Sequence, residues 1–201
     1  MSRSLRRHAA CAVLAGCIVL SGCAGGSEPR ADQDSASGPD SVPASAVPDR
    51  QRSVQAAVYA TVVRRVFERD DNGGGTIEKP IVYIVASTDD SVGDRQLLAS
   101  EPCSISIDVQ TRVTSALADV PSTVTWVDAF ESVPLDERTG GVAGGGIIVT
   151  LGNVTPHGVD SVRVPVQVWV ASLAASGKTY ILKQVDGAWT IIGTTGTEWM
   201  S

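Results

Sequence analysis

The chain has 201 residues, 43% of them apolar, with 22 acidic against 16 basic side chains, a net charge of −6 and four cysteines. That is apolar material enough for one core. The acidic balance argues against nucleic acid as a partner, because phosphate binding rests on clustered Lys and Arg.

Arg3, Arg6 and Arg7 make a positive N-terminus, residues 9–20 an apolar run, and Leu20-Ser21-Gly22-Cys23 follows it. The run is too short for a spanning helix, which needs about 20 residues, and its flanks are those of an export signal. These first 23 residues resemble the signal peptide and lipobox of a bacterial lipoprotein. The resemblance implies that Leu20, the small Ser21 and Gly22 admit a lipid-transferring enzyme and a dedicated peptidase. Cys23 then becomes the lipidated first residue of the mature protein, held at the extracytoplasmic face of the cell membrane. Palmitate-like chains, two or three together at about 0.8 kcal/mol per buried methylene, hold such a protein firmly. Cleavage removes three arginines and no acid, leaving 13 basic against 22 acidic side chains and a net charge of −9. It also removes Cys11 and Cys17, so Cys103 is the one thiol left and no internal disulfide can form.

Residues 24–52 are rich in Ser, Pro, Ala, Gly and Asp without apolar period and read as a disordered tether after the lipidated Cys23. Its reach is roughly 30 Å. A single globular domain is expected over residues 53–201. Ser53 can cap a first helix with a stripe of Val54, Val58, Val62 and Val66, widened by Ala57, Tyr59, Val63 and Phe67. Residues 81–86 are a continuous apolar run, the pattern of a central strand covered on both faces. A second helix starts near Ser106, carries Val109, Val113, Ala116, Leu117 and Val120 at helical spacing, and stops at Pro121. Residues 123–127 and 147–151 are further strands. From Val162 to Val170 every second residue is Val, a half-buried strand that Pro165 assigns to an edge or a bulge. Asp186-Gly187, between residues 180–185 and 188–192, is a hairpin turn signal.

The expected fold is α+β: an N-terminal helix-strand-helix unit packed on a largely antiparallel, curved sheet that ends in a β-meander. The order resembles the cone-shaped fold of nuclear-transport-factor-like domains, in which a helix packs into a curved sheet, with the usual first helical hairpin reduced here to one helix. The tail from Gly187 to Ser201, with Trp189 and Trp199 on Gly/Thr-rich strand, resembles tails of uncharacterised exported bacterial proteins.

Candidate site residues are few. His157 is the one histidine of the mature chain, placed in a Thr155-Pro156-His157-Gly158 turn without a Gly-x-Ser-x-Gly elbow, so it reads as a turn residue. Cys103 has no basic neighbour to lower its pKa and reads as a small buried hydrophobe, with a reactive or intermolecular thiol as the alternative. Glu68, Asp70, Asn72 and Gly73 begin a calcium-loop spacing that fails at Lys79, where position twelve needs an acid. Residues 140–146 are Gly-rich but lead into a strand rather than a helix and contain no Lys, unlike a phosphate cradle. Asp89, Asp90 and Asp94 form an acidic loop after the central strand, and Trp169 lies opposite the valine stripe of its strand, where it is free to act as an apolar anchor. These four are the candidate binding residues; no catalytic residue, metal ligand or cofactor is assigned. The reading is a lipid-anchored envelope module that binds a protein or glycan. The alternatives are a secreted hydrolase using carboxylates of residues 89–94 and Asp136-Glu137, or a structural accessory of a membrane complex.

Overall fold

A computed structural model describes residues 46–68, 79–96 and 101–201. The export signal, Cys23 and the tether as far as residue 45 lie outside these residues, as do Asp70, Asn72 and Gly73 of the calcium-like pattern.

The first helix, α1 (Ala46–Glu68), begins well before Ser53. Pro48 fits a first helical turn, where its missing N–H has no partner to lose. Asp49 sits there against the positive end of the helix dipole and accepts from Arg112 at 2.8 Å. Ser53 is therefore no cap, and its hydroxyl donates to the Asp49 carbonyl one turn back. Val58, Tyr59, Val62, Val63 and Val66 are buried as expected, while Ala57 faces solvent and Ala56 is buried in its place.

Strand β1 (Ile81–Val85) leads through residues 86–106 into α2 (Ile107–Ala116). Ser106 caps that helix by accepting from the Val109 N–H, as the sequence predicts. Strands β2 (Thr123–Val127), β3 (Ile147–Leu151), β4 (Thr155–Pro156), β5 (Ser161–Ala171), β6 (Ala174–Val185) and β7 (Ala188–Met200) follow. Their order in one sheet is β2-β1-β3-β5-β6-β7, with β4 paired to β5.

The class is α+β, but the sheet is mixed rather than largely antiparallel. Strand β1 runs parallel to both β2 and β3, whereas β3, β5, β6 and β7 pair antiparallel. A parallel pair needs a crossover, and α2 supplies it between β1 and β2.

Two cores result. On one face α1 and α2 pack on Val82, Ile84, Ile147, Val149, Val164, Tyr180 and Leu182. On the other, Val133 and Val142 from the β2–β3 connection cover Val85 and Ile148, with Phe130 and Trp169 against them.

Strand β5 is interior, not an edge, and Pro165 is no bulge; the irregularity comes later, between Trp169 and Ala171. Pro165 is tolerated because its carbonyl and its proton-less nitrogen face the break between β3 and β4. There the carbonyl accepts from Gly152 N at 2.7 Å, and no ladder bond asks for a donor. The Asp186-Gly187 turn has φ of 50° and 80° at its two residues, the pair of positive values a type I′ hairpin requires.

Candidate functional site: a trough at the ends of the parallel strands

The three parallel strands end at one end of the sheet, and the connections after β1 and β2 both pass over its second face. After β1 the chain makes a 3₁₀ turn, Asp90–Gly93, over the second face, where Val92 accepts from the Trp199 indole at 2.9 Å. It then returns to α2 on the first face. After β2 the chain crosses the second face through a 3₁₀ turn, Phe130–Ser132. Between them these two connections leave a crevice over the carboxyl ends of the strands.

A cleft of about 410 Å³ lies there, within the usual size range of small-molecule sites. Val85, Thr150 and Gln167 make its floor, and Thr150 and Gln167 are register partners across β3 and β5. Asp89 and Val92 stand on one bank, Asp128, Phe130 and Glu131 on the other. Ser87 and the buried Thr88 close one end. Thr88 is held from behind, its hydroxyl oxygen accepting from Cys103 N at 3.1 Å. Phe130 is held edge-on by Trp169, ring centroids 5.2 Å apart at 83°.

The sequence-predicted acids do not act together. Asp89 caps the 3₁₀ turn, one carboxylate oxygen accepting from both the N–H and the hydroxyl of Ser91. Asp90 turns to Asn153 and accepts from its backbone N at 2.6 Å and its side-chain amide at 2.9 Å. Asp94 accepts from Gln96 N and Thr197 N and lines a separate cleft of about 280 Å³ with Arg163 and Thr195. Of the three, Asp89 alone lines the larger trough. No group of three His, Cys, Asp or Glu among the described residues is arranged to hold a metal ion.

Trp169 is half-buried and supports Phe130 rather than standing alone as an anchor. Asp136 belongs to its own turn: two backbone N–H groups, those of Thr139 and Arg138, hold its carboxyl below the usual range. It does not line the trough, nor does Glu137. Cys103 is half-buried, its thiol turned to the Glu101 carbonyl. His157 sits in the β4–β5 turn, closed by His157 N donating to the Ser161 carbonyl. In the Gly-rich stretch, Gly140, Gly144 and Gly145 take positive φ in a connection that returns the chain to β3.

Asp128, Glu131, Thr150 and Gln167 escaped the sequence reading. The available signal was Asp128-Ala129-Phe130 directly after the β2 run, which becomes informative once β1 and β2 are known to be parallel. With this geometry in hand, the chain was compared with protein-family models, curated proteins and solved structures, and it matches none of them.

Proposed function

We propose that the chain is a lipid-anchored binding module on the extracytoplasmic face of the cell membrane, and that its ligand, an envelope glycan or protein segment, seats in the trough. The observation that carries the binding reading is the cleft itself, which lies on the second face at the carboxyl ends of β1 and β3, between the connection after β1 and the one after β2. The lipobox likeness of Leu20-Ser21-Gly22-Cys23 supports the location. Among the described residues no helix is long and apolar enough to cross a membrane.

Two experiments test this. For the anchor, Cys23→Ser should leave the precursor uncleaved and without fatty-acid label; a variant that still takes up label sinks the lipobox reading. For the trough, soluble envelope glycans and peptides are screened for those that raise the melting temperature of the full chain. Ala129→Trp, which fills the trough from one bank, should abolish that rise. Stabilising ligands all indifferent to Ala129→Trp would remove the trough from the function. The hydrolase remains the second reading because Asp89, Asp128 and Glu131 line one cleft. Turnover of an ester, peptide or glycoside that Asp128→Asn abolishes would put it first.

A further inference from the structure

We infer that the trough selects a small organic cation, a ligand with a protonated amine and neighbouring hydrogen-bond donors; this rests on the trough being the binding site proposed above. Among the described residues the lining holds three carboxylates, Asp89, Asp128 and Glu131, and no Lys, Arg or His. A phosphate or carboxylate ligand would meet acids on both banks and no cation to offset them.

The state of the lining groups sharpens the inference. Several acids elsewhere are engaged in the fold: Asp49 and Asp119 on arginines, Asp90 on Asn153, Asp136 on its own turn; of the trough's three, Asp89 is engaged by Ser91. Asp128 and Glu131 have no hydrogen bond or ion pair with any described residue. The same holds for the side chain of Gln167, half-buried in the floor. The exposed acids of the bank and the half-buried amide of the floor thus leave acceptors accessible to a ligand that enters. The Phe130 ring stands between the two acids in sequence and lines the same bank. A cation over an aromatic face is attracted by the ring quadrupole, and Trp169 fixes that ring from behind. Acceptors, an aromatic wall and a partly apolar floor suit an ammonium carried on a compact polar body, the format of an amino sugar or a diamine.

The test uses matched pairs in which an ammonium replaces a hydroxyl: glucosamine against glucose, and 1,5-diaminopentane against 1,5-pentanediol. Each is titrated into the full chain in mildly acidic low-salt buffer, with backbone amide resonances of Val85, Phe130 and Gln167 as the readout. The charged member of each pair should bind roughly tenfold more tightly than its neutral partner, the difference expected between charge-assisted and neutral hydrogen bonds. High salt should narrow that gap, and the Asp128→Asn/Glu131→Gln double variant should bring it to about twofold or less. Neutral partners that bind as tightly, with the same resonances moving, overturn the cation inference and leave the binding site standing. If neither ammonium probe moves the trough resonances, the inference is likewise overturned, while the Ala129→Trp screen still decides the binding site on its own.

Discussion

Gly177 lies in the first strand of the β6–β7 hairpin and Gly187 in its turn, and the two are glycine for different reasons. At Gly177 the Trp199 indole crosses β6 to reach the Val92 carbonyl, and a methyl group would fall inside the contact radius of both. At Gly187 nothing lies within 4 Å, but φ is +80°. Gly177→Ala should therefore cost about 1–3 kcal/mol through overpacking. Gly187→Val should cost about as much through backbone strain alone. Urea unfolding separates the two, because only the first substitution should also alter the Trp199 fluorescence of the folded protein. Tyr59 is a third such residue. Its hydroxyl donates to the Gly152 carbonyl at 2.9 Å and accepts from Gln55, and burial pushes its pKa from 10.0 up to about 12. The unfolded chain then loses this proton near pH 10 and the folded chain only near pH 12. Stability is untouched by Tyr59 below pH 10 and falls as pH rises through that window. Tyr59→Phe should remove this part of the alkaline loss, while costing about 1 kcal/mol at neutral pH for the orphaned carbonyl; denaturant midpoints measured at neutral and at alkaline pH check both.

Among the elements, the 3₁₀ turn Asp90–Gly93 settles what the acidic loop does. Asp90 ties it to the chain leaving β3, and Asp94 ties its far end to β7. Asp90→Ala should destabilise by about 1–3 kcal/mol, since two donors on Asn153 lose their acceptor. Asp128→Asn, which breaks no bond among the described residues, should stay within about 0.5 kcal/mol of the parent. Equal melting temperatures for the two variants would show that Asp90 is not the pin. Sequence alone located the strands well because alternation is local: Val162 to Val170 reads as one face of a strand wherever the strand is placed. It could not show that β1 lies between two parallel neighbours, because pairing partners are not encoded at any fixed spacing. The same gap hid the site. Asp89 and Asp128 become neighbours of one trough only when β1 and β2 are laid side by side, and three acids read as one loop cluster separate once the turn is folded. The start of α1 was missed for a local reason: Ser53 matches a cap signal, but Pro48 and Asp49 make an earlier start, and Arg112 on α2 favours it.

At the scale of the whole molecule, the described chain from Pro48 onward forms one compact unit, and its pairing pattern divides that unit in two. The β5–β6–β7 meander is built from neighbours in sequence. Strand β1 is built from strangers: Ile84 lies beside Trp126 on one side and Val149 on the other. Tyr59 near the beginning is bonded to Gly152 far along the chain. Contacts of such separation are slow to form. A chain delivered from its N-terminus thus presents α1 and the apolar β1 first, yet β1 lacks its second neighbour and Tyr59 its carbonyl partner until β3 and its exit have arrived. During that interval their apolar faces are covered only in part, by α2 and β2. For an exported chain of the kind proposed above, the expectation is a precursor that stays loose enough for threading through a narrow channel, with the pairing of β1 as its slow step once the last strands are through. Its hazard is self-association in the meantime.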